Sequence, residues 1–467
     1  MKRNLALIIT LLIFFIVYNI LLLKFLPKEV EKKEAEKKLE FELKSLNIPL
    51  DEEKILIENE NLKIFLSKKG GAFREVELKK YKDFKNKENL KIYFLSYITP
   101  FDTLLELNKI ENGKVIFSSK DGSISKEFHL LDGYKLKVKT KNINYFLFSL
   151  LPPIDPIDEK NYSIIEYKKG NVKRRDLKNF SDIDFGGENT LWLGSETKYF
   201  VNVIIKPEYF RKIVKGEEYK EGKFFKFLTE TVDSFYNYIG PKDYFILKRE
   251  GYLLYELYPF GFWLIKPFTL LFLHSFKWFY SVIKFSSVVI FIFTLLMKII
   301  FMPLTLKSMI AMKKMEDLRP RLEALRRIYK DDPKKLNEEV LKLYKEKGVN
   351  PFSGCFPLLL QLPVFWALYQ VLTNEIMFRG KDLFLWIKDL SSKDPFYILP
   401  ILMGLTLLLQ QFLQPSQDEQ TKRIGILMSI FITIIFLNLP AGLVYYWLLY
   451  NIIGIFESLL IKKKILK

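Results

Sequence analysis

The chain has 467 residues, of which 49% are hydrophobic, 16% aromatic and 27% charged, and its formal net charge is +19. Its long apolar runs exclude a wholly soluble protein, while the charged fraction indicates large aqueous parts. The single cysteine, Cys355, excludes an intrachain disulfide, and His129 and His274 are too far apart in sequence to suggest a metal cluster. Many cations flank apolar segments, so the positive charge indicates membrane topology rather than nucleic-acid binding.

The first element is an apolar run over residues 5–23, which is long enough to span a bilayer. Lys2 and Arg3 precede the run and place the N-terminus in the cytoplasm. A cleaved signal peptide is the alternative. No small-x-small cleavage site follows, so we predict a retained anchor over residues 1–27. Residues 28–54 are rich in Glu and Lys and form a charged linker, helical or disordered.

Short stretches of alternating apolar and polar residues fill residues 55–250, for example 62–66 and 134–138. Turn signals such as Gly70-Gly71 separate them, so the pattern predicts an antiparallel β domain of sandwich type. The domain contains no phosphate-loop, serine-hydrolase or zinc-protease motif. We therefore interpret it as a structural or docking module, with a carbohydrate or peptide cleft as the open alternative.

Residues 251–280 form an aromatic-rich segment that differs from the β domain. One helical arc of this segment carries Lys266, Thr269, His274 and Lys277. Most of the remaining positions are large and apolar, which predicts an amphipathic helix lying in the membrane interface. An extra spanning helix is the alternative, but the two lysines and Pro267 argue against it.

Five further apolar segments follow. They are residues 282–306, 355–377, 396–413, 424–439 and 441–460. Together with the anchor they predict six transmembrane helices. The connection 307–350 carries thirteen Lys or Arg residues against eight acidic residues. This bias places the connection and both termini in the cytoplasm, and the β domain outside.

Within 307–350 the apolar residues recur every three or four positions, with an interruption at Asp331, Asp332 and Pro333. The pattern predicts a helical hairpin whose second helix has an Asp cap, has Pro just inside and ends near Gly348. The basic surface of the hairpin includes Arg319, Arg326 and Arg327. The sequence leaves open whether this surface is merely solvated or contacts phosphate, RNA or anionic lipid.

Lys298 is a lone charge deep inside the apolar run 282–306, whose other charged residue, Lys284, lies at its start. Burying an ammonium at that depth costs about 2.5 to 3.5 kcal/mol, which makes Lys298 a candidate functional residue. The alternative is that its side chain snorkels to the headgroups. Further polar candidates are Gln361, Gln410, Gln411 and Asn451, each of which could instead serve helix packing. We interpret Glu457 as a snorkelling residue paired with the cytoplasmic lysines.

Three sequence blocks, 350–369, 394–404 and 440–447, carry a family resemblance. In order and spacing they resemble the YidC membrane protein insertases of the YidC/Oxa/Alb family. The N-terminal anchor and the large domain after it are similar to the Gram-negative type. The resemblance covers essentially the whole chain and is most specific over residues 290–460.

The resemblance implies a five-helix core within residues 281–467, enclosing a hydrophilic groove open to the cytoplasm and to lipid. It also implies a β-supersandwich, similar to galactose mutarotases, on the periplasmic face of the cell inner membrane. The implied activity is insertion and folding of nascent inner-membrane proteins, alone or with the Sec translocon. No enzymatic reaction, nucleotide hydrolysis, cofactor or DNA is implied. Lipids, the ribosome and the signal-recognition machinery are further candidate partners.

The sequence departs from the family pattern at two positions. The family's groove cation is an arginine four residues after a threonine, and here Lys298 follows Thr294 at that spacing. The charge is kept, but the planar donor fork is lost. The family's two adjacent tyrosines correspond to Tyr446 and Trp447, so an indole donor replaces the second hydroxyl. The predicted groove residues are Lys298, Thr294, Tyr446, Trp447, Gln361, Gln410 and Asn451.

Two other classes of protein are alternatives. A secondary transporter should show paired internal repeats, and the apolar segments show none. A membrane-tethered, glycan-active periplasmic protein would need paired carboxylates facing one cleft. Asp155, Asp158 and Glu159 cluster in sequence, but a proline-rich loop explains them more simply.

Overall fold

In the computed structural model the described part of the chain divides into two compact units between Tyr258 and Pro259. The described residues are 54–68, 71, 73–82, 89–93, 105–111, 113–143, 145–150, 163–176, 189–206, 213–218, 225–230, 233–348, 356–383, 386–413 and 419–465. The predicted anchor, 1–27, and nearly all of the predicted linker lie outside them.

Among the described residues, the first unit contains sixteen strands. They are β1 Lys54–Glu58, β2 Leu62–Ser67, β3 Phe73–Lys82, β4 Asn89–Tyr93, β5 Glu106–Glu111, β6 Lys114–Ser118, β7 Ser125–Leu130, β8 Lys135–Lys141, β9 Tyr145–Leu150, β10 Ser163–Lys168, β11 Asn171–Asp176, β12 Thr190–Glu196, β13 Phe200–Ile205, β14 Ile213–Glu218, β15 Phe225–Glu230 and β16 Ser234–Pro241.

The strands form three sheets, and the predicted antiparallel β domain is confirmed. One sheet has the order β1-β2-β3-β4, and another has the order β14-β15-β9. The largest sheet has the order β11-β10-β12-β13-β16-β8-β7-β6-β5. Paired strands run antiparallel. The last strand, β16, lies between β13 and β8 and pairs with both.

The core of the β unit follows from the two-residue period of its strands. In β8 every second side chain, Leu136 and Val138, is fully buried, and Phe128 of β7 is paired directly with Val138. Burying an apolar side chain of this size contributes about 1.5 to 3 kcal/mol. Strand β13, in the middle of the large sheet, is buried at every position, as expected for a strand covered on both faces.

A buried cluster of charges joins three parts of this unit. The Glu196 carboxylate accepts a hydrogen bond from Arg174 Nε at 2.6 Å and another from Lys242 Nζ at 3.0 Å. Burial alone would raise the pKa of Glu196, but the Lys242 ammonium and the Arg174 guanidinium hold it below its ordinary value. Arg174 also donates to the carbonyl of Leu257, which fastens the end of the unit.

The β unit ends with helix α1, Tyr244–Glu250, and a 3-10 helix, Leu254–Leu257. Asp243 caps α1 by accepting a hydrogen bond from the Ile246 amide at 2.9 Å. Residues 251–258, predicted to begin the interfacial segment, instead pack in the β unit. One reason is that the Trp192 indole donates to the Tyr252 carbonyl at 3.2 Å.

The second unit is helical. Its helices are α2 Lys266–Ile283, α3 Ser286–Asp317, α4 Arg319–Ile328, α5 Pro333–Glu346, α6 Phe356–Asn374, α7 Ile398–Leu413, α8 Glu419–Phe436 and α9 Ala441–Ile465. Of the helices that the structure describes, Ser286–Asp317 and the stretch Ala441–Leu460 are long and apolar enough to cross a bilayer, and α7 is apolar but shorter. Helices α6 and α8 coincide with two other predicted spans. Six spans remain a prediction.

Helix α2 has one buried face and one exposed apolar face. Phe276 is buried and stacks on Phe293 of α3, with ring centroids 4.3 Å apart. Trp278 is exposed, and Trp263, just before the helix, is 82% exposed. Thr269, on the predicted polar arc, is buried instead of exposed, and its hydroxyl is satisfied by donating to the Phe260 carbonyl at 3.0 Å.

The predicted helical hairpin is formed by α4 and α5. Asp332 caps α5 by accepting a hydrogen bond from the Lys335 amide at 3.0 Å, and Pro333 is the first residue of the helix. Gly348 has a positive φ of 61°, as is common after a helix end. Residues 307–317, which the sequence analysis places in the connection, continue helix α3, so the hairpin itself begins at Arg319.

Candidate functional site

The Lys298 ammonium lies inside the helical unit, paired with a carboxylate. Nζ of Lys298, on α3, is 2.9 Å from Oε2 of Glu457 on α9. Only 5% of the Lys298 side chain and 12% of the Glu457 side chain are exposed. Nζ also lies 4.4 Å from the centroid of the Tyr450 ring, within the range of a cation–π interaction. The ammonium therefore contacts α9 inside the helical unit and does not extend toward the headgroups as the snorkelling alternative requires.

Glu457 is not the snorkelling residue that was predicted, because its carboxylate pairs with Lys298 and its side chain is largely buried. The physical reason is the close approach of α3, α7 and α9 at Gly454, one turn before Glu457. A Cβ atom at Gly454 would lie 3.2 Å from Lys298 Nζ and 2.5 Å from Gln410 Nε2. The missing side chain therefore leaves the space through which Lys298 reaches α9, and it brings the Gln410 amide to the same place.

Asn451 joins α9 to α7. Its Nδ2 donates to the Met403 carbonyl at 3.4 Å and to the Thr406 hydroxyl at 3.3 Å. These contacts match the role of a polar packing residue between helices, one of the two alternatives for Asn451. Gln411, next to Gln410, faces α8 instead, and its Nε2 occupies the space that a Cβ at Gly425 would fill.

Gln361 of α6 faces the tyrosines of α9. Its side chain interacts with the hydroxyls of both Tyr446 and Tyr450. Even so, neither Gln361 Nε2 nor the Tyr446 oxygen, both buried, makes a hydrogen bond of good geometry with the described residues. Burying a polar atom without a hydrogen bond is costly. Gln361 and Tyr446 can therefore each form a hydrogen bond with a further polar group.

Thr294 and Trp447, two more of the predicted groove residues, make packing contacts. The Thr294 hydroxyl donates to the Ile290 carbonyl of its own helix at 2.7 Å and is fully buried. Trp447 packs edge to face against Phe365 of α6, with ring centroids 5.3 Å apart, and lies 5.5 Å from the Phe436 ring of α8.

The structure thus brings Lys298 and Gln410 together with two residues that were not predicted, Tyr450 and Glu457. A signal for both is present in the sequence. Positions 446, 450, 454 and 457 recur every three or four residues and therefore share one face of α9. These four positions carry polar or small residues within a largely apolar stretch of α9.

The three predicted docking arginines lie on the exposed hairpin helix α4. Arg319 Nε is 3.0 Å from Glu323 Oε1 one turn later, so this cation is partly neutralised. Arg326 and Arg327 are exposed in the last turn of α4, where cations also interact favourably with the helix dipole.

Comparisons with known proteins identify the class. The family model described as 60Kd inner membrane protein matches residues 278–467. The membrane protein insertase YidC of Aquifex aeolicus (strain VF5) is 34% identical in an alignment over 501 residues that covers 100% of this chain and 96% of the relative. The YidC insertase of Geobacter metallireducens is 42% identical over 231 residues, covering 49% of this chain and 42% of the relative.

A solved structure, described as an active YidC insertase with the first transmembrane domain resolved, is also similar. It is 21% identical, covers 87% of this chain and 92% of its own chain, and has a TM-score of 0.41. The match to the Aquifex relative over the whole chain, with the β-rich first unit and the helical second unit, defines an inner-membrane protein with a large periplasmic domain.

The chain belongs to the family of YidC membrane protein insertases, of the Gram-negative type. Its clients are accordingly nascent membrane proteins. Members of this family are insertases and not enzymes.

Proposed function

We propose that this insertase moves nascent inner-membrane proteins through a hydrophilic groove formed by α3 and α6 to α9, open to the cytoplasm and to lipid. The observation that supports the proposal is the buried ammonium of Lys298, held between α3 and α9 next to Gln410. In this proposal six helices span the membrane, and both termini and the hairpin are cytoplasmic.

The groove lowers the cost of moving polar groups across hydrocarbon. Each unsatisfied backbone amide or charge of a client in the bilayer core costs several kcal/mol. Polar side chains on the faces of α6, α7 and α9 offer partners along part of the path. The buried Tyr446 hydroxyl and Gln361 Nε2, which lack good hydrogen bonds within the described residues, are two such groups.

Lys298 gives the groove a positive potential that favours acidic client segments. The apolar part of the client then leaves sideways into lipid, driven by burial at about 25 cal/mol per Å². No covalent step is needed. The same path would serve clients delivered by the Sec translocon, the ribosome or the signal-recognition machinery.

Reconstitution tests whether the chain inserts clients alone. The purified protein in lipid vesicles without Sec components or nucleotide should insert a short single-span client, because the path depends only on groups of this chain. The measurement is protection of the translocated segment from added protease. Vesicles without the protein give the background. Protection at the background level would contradict Sec-independent insertion.

The basic surface of the hairpin should receive clients or targeting partners before the groove does. Changing Arg319, Arg326 and Arg327 together to glutamine should slow insertion about threefold and flatten its dependence on salt, because long-range attraction is lost. The measurement is the initial insertion rate at several salt concentrations. The matched control changes the same three residues to lysine, which keeps the charge. Equal rates and salt responses in both triple variants would show that the surface is only solvated.

A further inference from the structure

The ion pair between Lys298 and Glu457 is only half satisfied. Glu457 Oε2 contacts the ammonium at 2.9 Å, but Glu457 Oε1 is buried and has no hydrogen-bond partner within the part of the chain that the structure describes. A buried ion pair is stabilising only when the remaining lone pairs are also satisfied. Within the described residues, the two charged groups are therefore joined by one contact, and the desolvation of Glu457 Oε1 is not compensated.

The two partners differ in how firmly they are held. Lys298 keeps a second contact, the face of the Tyr450 ring 4.4 Å away, when the carboxylate departs. Glu457 has no second contact of this kind with the described residues, and it is the more exposed partner. The carboxylate is therefore the mobile half of the pair, and the ammonium is the fixed half.

We propose that Glu457 is a resident counter-ion that an acidic client segment must displace from Lys298, so that Glu457 sets the selectivity of the insertase. The proposal rests on the proposed function, in which Lys298 attracts acidic segments. A client carboxylate takes the position of Glu457 Oε2, and Glu457 regains water. Glu457 competes for Lys298 with every acidic client and with no neutral one. It therefore lowers the ratio of acidic to neutral insertion rates that Lys298 alone would produce.

A pair of single-span clients that differ only in acidic against neutral residues in the translocated segment tests this inference. The full-length protein in vesicles is compared with its Glu457→Gln variant, which removes the charge and keeps the shape. The ratio of acidic to neutral insertion rates should rise about fivefold in Glu457→Gln, because Lys298 is released from its competitor. Ser458→Ala, a change at the neighbouring residue, should leave the ratio at the wild-type value.

A second background isolates the role of the pair. In Lys298→Gln the acidic-to-neutral ratio should fall. Adding Glu457→Gln to Lys298→Gln should leave the ratio below that of the wild type, because the cation that attracts acidic clients is gone. Glu457→Asp, which keeps the charge but weakens the contact, should give an intermediate ratio. This variant also keeps the test valid if Glu457→Gln is poorly folded.

The outcomes separate this inference from the proposed function. A wild-type ratio in both Glu457→Gln and Glu457→Asp, together with a reduced ratio in Lys298→Gln, would overturn the counter-ion role and leave the cation role intact. A ratio in Lys298→Gln equal to that of the wild type would overturn the proposed selection by Lys298, and the counter-ion role would fall with it.

Discussion

Replacing Lys298 with alanine is expected to slow the insertion of clients with acidic translocated segments about tenfold, and to slow matched neutral clients much less. The reason is that the ammonium is the cation at the junction of α3, α7 and α9, buried with only 5% of its side chain exposed. Its potential acts in a site of low dielectric, where attraction of a carboxylate is stronger than in water.

Two further changes at this position should bracket the effect. Lys298→Arg should preserve selectivity, since arginine keeps the charge and restores the family's residue. Lys298→Glu should be worse than alanine, because it places a second carboxylate beside Glu457 and repels acidic clients. The measurement is the ratio of insertion rates for two clients that differ only in translocated acidic residues, with protein levels matched.

The control for these variants follows from the ion pair. Removing Lys298 alone leaves the Glu457 carboxylate buried without its cation, and breaking a buried pair in this way costs about 3 to 5 kcal/mol. A general loss of stability would slow both clients, so Lys298→Ala should be assayed beside Lys298→Ala/Glu457→Gln. Equal slowing of both clients in the double variant would contradict selection by charge.

The sequence reveals Lys298 but not its partner, for a physical reason. A cation deep in an apolar run can be recognised from that run alone, because the free-energy cost of placing it in the bilayer does not depend on the rest of the fold. The contact with Glu457 depends on how α3 packs against α9 and on the absence of a side chain at Gly454. Glu457 is close in sequence to a run of lysines, so local spacing suggests a different pair.

Thr269 shows the same limit for a single hydroxyl. The helical period places it on an arc with Lys266, and its polarity suggests exposure. In the structure it is buried, and burial is tolerated because the loop before α2 brings the Phe260 carbonyl within 3.0 Å of its hydroxyl. Conversely, the cap at Asp332 and the alternation of β8 are local patterns, and both were predicted correctly. The order of the nine-stranded sheet depends on long-range pairing, such as that of β16 with β8, which no local pattern shows.

Glu196→Gln is expected to destabilise the β unit by about 3 to 5 kcal/mol, because it leaves the Lys242 ammonium buried without its counter-ion. The Glu196 and Lys242 side chains are 6% and 7% exposed, so solvent cannot compensate. The measurement is thermal unfolding of the purified full-length protein by calorimetry at neutral pH. Glu111→Gln breaks an exposed pair with Lys109 and should leave the transition unchanged. A similar shift for both variants would contradict the role of burial.

The pH dependence of Glu196→Gln should separate the charge cluster from a packing effect. The pKa of Glu196 is lower in the folded state than its ordinary value of 4.5, because the Lys242 and Arg174 cations outweigh the effect of burial. Its contribution to stability is therefore fully present above that ordinary value and is lost as pH falls through the lower folded pKa. The gap in unfolding temperature between wild type and variant should be constant from about pH 7 to pH 5 and should narrow below about pH 4. A gap that stays constant to the lowest pH at which both proteins fold would show that glutamine disturbs packing instead, since packing does not titrate.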